Sequence, residues 1–274
     1  MRGLPLVIAV VCLASLMGCR RTQTLPEGQM LFDEGKLVDL TYAFDSTTVY
    51  WPNAAPFKLE TVAHGPSPGG YFYAANKFSA AEHGGTHMDA PSHFGEGQWG
   101  VDDVPLEQLV GPAVVVDVSD SVTRNPDYRC TKSDLQSWEK VHGLIPGGAI
   151  VLLRTGWSKH WPDRKAYFGS ETPESTATLH FPAFAEDAAK FLTEQRLVDA
   201  VGLDTPSLDY GPSTDFPAHR IFAENNIPGF ENLANLRHLP ETGAWVIALP
   251  MKIARGTGAP LRMIAVLPPG AAKP

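Results

Sequence analysis

The chain has 274 residues, 43% of them hydrophobic and 9% aromatic, with a formal charge of −8. At roughly 100–200 residues per domain this is one large domain or two small ones, with apolar material enough for a true core. The acidic balance, without a basic run or a helix-plus-aromatic pattern, speaks against a phosphate backbone, so no nucleic acid is expected and a small neutral or cationic ligand suits the chain better.

Residues 1–19, MRGLPLVIAVVCLASLMGC, hold one arginine, an apolar run over 4–16 and small residues ahead of a cysteine. That is a secretory signal layout, and the run is short of the roughly 20 residues a membrane span needs. Leu16, Met17, Gly18 and Cys19 resemble a bacterial lipoprotein cleavage site. The expectation is a signal peptide over 1–18, lipid on Cys19, and an exported bacterial lipoprotein anchored to a membrane and facing the periplasm or cell exterior. Plain secretion with a cut nearby is the alternative. Residues 19–35 are polar, contain Pro26 and Gly28, and fit a tether, so the folded domain is expected over 36–274. Cys12 lies in the signal and Cys19 at the cut, which leaves Cys130 alone in the body and no disulfide framework there.

Residues 37–44 alternate as a first strand, 58–62 form a short second one, and 64–70, with GPSPGG, form a loop. Residues 71–81 are strand-like and deliver the chain into the segment HGGTHMDAPSHF, so the ligands discussed below fall at a strand end and in the turn after it. PAVVVDV at 112–118 and GGAIVLL at 147–153 suit buried strands, and 131–141 begins with a capping pattern that predicts a helix. A long polar and aromatic excursion reaches to about 179. Residues 182–196 have Pro182 in the first turn and Phe184, Ala188, Phe191 and Leu192 on one face, which predicts the clearest helix. A strand over 198–203, a short helix over 218–225 and strands over 245–249 and 263–267 complete the chain. Strands and helices mix without strict alternation, which predicts one α/β domain with a mixed, partly barrel-like sheet.

Residues 83–94 gather His83, His87, Asp89 and His93, spaced by four, two and four residues, in a chain with nine histidines. Imidazole and carboxylate are the usual ligands of zinc and similar ions. Gly84 and Gly85 relax the backbone there, and Pro91 stiffens the exit. The second half offers His219 in FPAHR and Glu231 in GFENLANL, a weak pair by itself. Trp51, Phe57, Phe72, Tyr73 and Trp99 flank the segment, either as aromatic walls for a flat substrate or as core. Asp204 and Ser207 either orient ligands from behind or, for Asp204, cap a strand end. Arg154 is expected to tie loops together through carboxylates.

HGGTHMDAPSHF resembles the HxGTHxDxPxHF signature of the metal-dependent cyclase family, which includes bacterial kynurenine formamidases and isatin hydrolases. The resemblance extends through Arg154-Thr155-Gly156-Trp157, VGLDTPSLD and FPAHR to Glu231. It implies a swivelling β/β/α fold with a partly open barrel. It implies metal ligation by His83, His87, Asp89, His219 and Glu231, with Asp89 able to bridge two ions, and His93 as the catalytic acid/base. The expected cofactor is a divalent metal, zinc or manganese, as one or two ions. A bound ion would lower the pKa of its water from about 15.7 toward about 7, and His93 would carry the proton to the leaving nitrogen. The expected activity is hydrolysis of a cyclic or aryl amide of isatin type, with arylformamidase activity as the alternative and a metal- or ligand-binding lipoprotein without turnover as the reading from another class. Trp51, Phe72, Tyr73 and Ser207 are the candidate substrate contacts. The expected partners are a small-molecule amide, a second copy of the chain in a homodimer, and a membrane only through the lipid.

Overall fold

A computed structural model describes residues 36–271. The signal peptide, the tether and Cys19 lie outside the described residues. The strands in chain order are β1 (Leu37–Asp39), β2 (Lys58–Pro66), β3 (Phe72–Ser79), β4 (His87–Asp89), β5 (Val110–Asp117), β6 (Arg129–Cys130), β7 (Ile150–Arg154), β8 (Ala183–Phe184), β9 (Ala200–Leu203), β10 (Gly229–Glu231), β11 (Trp245–Pro250) and β12 (Gly258–Val266). The helices are α1 (Ser119–Arg124), α2 (Lys132–His142), α3 (Arg164–Phe168), α4 (Glu186–Phe191) and α5 (Pro217–Glu224). Among the described residues no helix is long and apolar enough to cross a membrane.

The main sheet runs β1-β12-β11-β5-β7-β9-β10-β4, and β4 also pairs with β12. That second pairing closes seven strands into a ring, so the barrel is closed where a partly open one was expected. β5, β7, β9 and β10 are parallel neighbours, while β4 is antiparallel to both strands that flank it. β5, β7 and β9 are apolar on both faces up to their C-terminal ends, as burial on both sides requires. Inward residues such as Val115, Ile150, Leu152, Met88, Phe230, Val246 and Met263 fill the barrel. Outward ones, including Val114, Val116, Val151, Leu153 and Val201, pack against Leu135 and Trp138 of α2, Ala188 and Phe191 of α4, and Phe222 of α5. The capping start expected for α2 is present, because Thr131 and Asp134 exchange the reciprocal bonds of a capping box.

Three expectations change. The segment His87–Asp89 is itself a strand rather than the turn after one. Pro182 does not open a helix: Ala183 and Phe184 pair with Arg129 and Cys130, and the helix starts at Glu186. β2 runs on into the expected loop as far as Pro66, pairing with β3 in a separate hairpin, and the turn is confined to the residues between them.

Candidate metal centre

β4 sets the geometry. Alternate residues of a strand face opposite sides, so His87 and Asp89 share one face while Met88 points into the barrel, where it is 0% exposed. Antiparallel pairing sets Glu231 directly opposite His87 and on the same face. α5 supplies His219 from above, and the loop before β4 supplies His83. Gly85 turns that loop with a φ of +57°, the left-handed region that glycine enters freely. Gly84 is required for a different reason, since a Cβ there would run into the Tyr50 ring.

The five side chains converge. His83 Nδ1 is 2.7 Å from Asp89 Oδ1, and His87 Nε2 is 3.1 Å from the same oxygen and 3.5 Å from Glu231 Oε2. His219 Nε2 is 3.2 Å from Glu231 Oε1 and 3.3 Å from Asp89 Oδ2. Donor atoms of His83, His87 and Asp89 all lie within 4.8 Å of one another, as do those of Asp89, His219 and Glu231. Asp89 therefore belongs to both groups.

The far side of each ring is held. His219 Nδ1 donates to Asp209 Oδ2 at 2.7 Å. Asp209 also accepts the backbone N–H groups of Ala218 and His219, at 2.9 and 3.0 Å, and so caps α5 with the same carboxylate. His87 Nδ1 donates to Gly85 O at 3.0 Å. Asn232 Nδ2 donates to that carbonyl at 2.8 Å, and Tyr167 Oη donates to Asn232 Oδ1 at 2.9 Å. His83 Nε2 lies 3.0 Å from Thr257 Oγ1.

Electrostatics fit a cation. Burial opposes the charge on Asp89, but His83, His219 and His87 outweigh it and hold the carboxyl well below its ordinary range. Burial and the neighbouring Asp89 charge raise Glu231. For His87 and His219 burial acts downward, yet their carboxylate partners prevail and raise both. The negative charge that draws protons to these rings equally favours a divalent ion. His87 Nε2 is buried without a hydrogen-bond partner and aims at the two carboxylates. A ring nitrogen orphaned there, beside oxygen donors, matches the donor set of a divalent-metal site.

His93 follows β4 on a single turn, Pro91–His93, and stacks on His83 with ring centroids 3.8 Å apart. Desolvation by the neighbouring side chains lowers its pKa to about 4, although the residue keeps an exposed edge, and the imidazole is neutral at pH 7.

A cavity of about 390 Å³ opens over the cluster, with apolar walls from Trp51, Phe94, Phe168 and Phe216 and with buried Ser207 also in its lining. Trp51 and Ser207, two of the candidate substrate contacts, both line this cavity. Phe72 and Tyr73 do not: they lie on the hairpin, 65% and 53% exposed, and the expectation that they flank the substrate is not met within this chain. Asp204 caps the 155–158 turn, accepting from Thr155 N and Oγ1 at 2.9 and 2.6 Å, and touches none of the histidines. Arg154 ties Asp117 to the carbonyls of Leu236 and Leu239. Sequence reasoning missed Asp209, Asn232 and Phe168. Asp209 and Asn232 stand in the stretches VGLDTPSLD and GFENLANL, but neither stretch marks them as partners of a histidine.

The family model for putative cyclases matches residues 38–210. An isatin hydrolase of Roseibium aggregatum is 35% identical over 207 residues, which is 73% of this chain and 77% of that protein. A kynurenine formamidase of Salinibacter ruber is 30% identical over 229 residues, covering 83% of this chain and 96% of that protein. Among solved structures, isatin hydrolase A from Ralstonia solanacearum superposes with a TM-score of 0.77 at 36% identity, over 84% of this chain and 91% of that one. The span of the family model takes in β4 with His87 and Asp89, and this chain belongs to the cyclase family.

Proposed function

We propose that the chain is a metal-dependent hydrolase that opens a cyclic amide of isatin type. One observation carries the reading: three imidazoles and two carboxylates meet at the floor of an aromatic cavity, with an orphaned His87 nitrogen turned toward the oxygens. His83 Nδ1, His87 Nε2, His219 Nε2 and the carboxylates of Asp89 and Glu231 would hold the ion. A bound divalent ion there lowers the pKa of a water and polarises the substrate carbonyl. The aromatic walls bind a flat ring by its faces and exclude bulk water. His93, neutral and beside His83, accepts a proton from the water as its oxygen bonds to the amide carbon. It returns that proton to the nitrogen as the carbon–nitrogen bond breaks, leaving a carboxylic acid and an amine.

Zinc and manganese both suit this donor set, and the sharing of Asp89 between two groups supports a second ion. Arylformamidase activity is the second reading, favoured by the kynurenine formamidase relative. Elemental analysis of the purified protein, with assays on isatin, an N-formyl arylamine and a lactone panel, separates the readings. Bound metal with no turnover on any of them would leave a metal-binding protein.

We infer a homodimer from the β2–β3 hairpin, on which Leu59, Val62, Phe72, Tyr73 and Phe78 are each more than half exposed. Apolar clusters of this kind mark protein contacts, and the resemblance implies a second copy as occupant. Light scattering tests it: Val62→Asp with Phe72→Asp should yield a monomer, and a monomeric wild type would overturn it. Export and a lipid on Cys19 are proposed from the signal layout. Fatty-acid labelling that persists in Cys19→Ala would overturn the anchor.

A further inference from the structure

We propose that Glu82 and Thr257 form a tautomer lock on His83, fixing which of its ring nitrogens faces the ion; the inference rests on the metal-centre reading above. The outer nitrogens of His87 and His219 face a carbonyl and a carboxylate, groups that only accept, so each of those nitrogens carries hydrogen. His83 differs, because its outer partner, Thr257 Oγ1 at 3.0 Å, is a hydroxyl able to donate or accept. Left alone, that hydroxyl would permit either tautomer.

Glu82 removes the ambiguity. Its Oε2 accepts the Thr257 backbone N–H at 3.0 Å and the Thr257 hydroxyl at 2.8 Å. With its hydrogen committed to a carboxylate, Oγ1 turns a lone pair to His83. Nε2 must then hold the ring hydrogen, and Nδ1, 2.7 Å from Asp89 Oδ1, is the nitrogen left to an ion shared with that carboxylate. Were the hydroxyl released, it could donate to Nε2 and draw the hydrogen onto Nδ1, which blocks coordination there.

The segment around Thr257 is shaped to this purpose. A Cβ on Gly258 would collide with the His83 imidazole, and one on Gly256 would sit 3.2 Å from Glu82 Oε1. Thr257 O also accepts the Ala90 N–H at 2.9 Å, fastening the segment to the end of β4. Thr257 is 174 residues from His83 in sequence, and it lies outside the 38–210 span matched by the family model.

The test is zinc affinity of the purified protein, by competition with a chromogenic chelator, together with ¹⁵N NMR of the zinc-loaded wild type. Thr257→Val keeps the shape and removes the hydroxyl; it should weaken zinc by about 10–100-fold, the usual effect of losing a partner behind a ligand. Thr257→Ser should restore tight binding. Glu82→Ala keeps the hydroxyl but frees it, and should weaken zinc in the same direction. The double variant should be no worse than Thr257→Val, because both act on one hydrogen. NMR should show Nε2 of His83 protonated. Wild-type affinity in Thr257→Val, equal losses in the valine and serine variants, or additive losses in the double variant would each overturn the lock. A wild type that takes up neither zinc nor manganese would overturn the metal-centre reading instead.

Discussion

Replacing Asp209 separates the folding of the site from its affinity for metal. The carboxylate is 2% exposed and accepts the Ala218 N–H on Oδ1 at 2.9 Å, with the His219 N–H and Nδ1–H on Oδ2 at 3.0 and 2.7 Å. Asparagine has a single acceptor oxygen. Placed at Oδ1, it keeps the Ala218 bond and turns its amide hydrogens against both donors of His219. Placed at Oδ2, it keeps His219 and opposes Ala218. Losing a helix cap costs about 0.5–2 kcal/mol, and at about 2–4 °C per kcal/mol for a domain of this size the Tm falls by about 1–8 °C. Losing the partner behind His219 costs about 10–100-fold in metal affinity. Asp209→Asn should therefore show mainly one loss, and Asp209→Ala both. The assay pairs thermal unfolding of the metal-free protein with chelator competition for zinc. If Asp209→Ala melts lower but binds zinc as wild type does, Asp209 is a helix cap only and the coupling argued here is wrong.

His93→Ala should keep its metal and lose about 10²–10⁴ in turnover; elemental analysis beside steady-state kinetics checks both halves, and wild-type turnover would remove His93 from the chemistry. Gly85→Ala should cost roughly 2–5 kcal/mol, from about 1–2 for a left-handed alanine and about 1–3 for overpacking. The added Cβ would sit 2.5 Å from Phe44 Cε1 and 2.9 Å from Thr48 Cγ2. Urea unfolding of the metal-free variant measures that loss. Stripping the ion with a chelator should lower the Tm by about 5–10 °C if the ion is present at 100 times its Kd, since such a ligand stabilises by about 2.7 kcal/mol. An unchanged Tm would mean that the ion does not bind the folded state preferentially.

The ligand-rich segment was legible because chemistry crowds into residues 83–93, and the apolar runs at 112–118 and 147–153 were legible because buried parallel strands need β-branched residues on both faces. The status of β4 was not. His-Met-Asp has no strand propensity to speak of, and it is a strand only because β10 and β12 bracket it. Pro182 misled for a similar reason. Its fixed φ suits a first helical turn and an extended edge alike, and the choice is made by pairing of Ala183 and Phe184 with residues more than fifty positions earlier. Asp209 and Thr257 reach their histidines through hydrogen bonds in space, and no local pattern records those bonds.

The closed barrel explains why a strand of three residues can hold so much of the site. His87 and Asp89 face the cavity only in the observed register; a slip of one residue against β10 would bring Met88 to the ligand face and bury both ligands in the barrel. Short strands resist slipping poorly by their own hydrogen bonds. Here Met88 and Phe230, opposite each other in register and both 0% exposed, lock the strand from the inside. Pairing with β12 locks its other edge, where Gly258 lies opposite Asp89. The apolar interior and the polar cluster are thus two faces of one register, and the packing that stabilises the barrel is also what keeps the candidate ligands aimed at a common point.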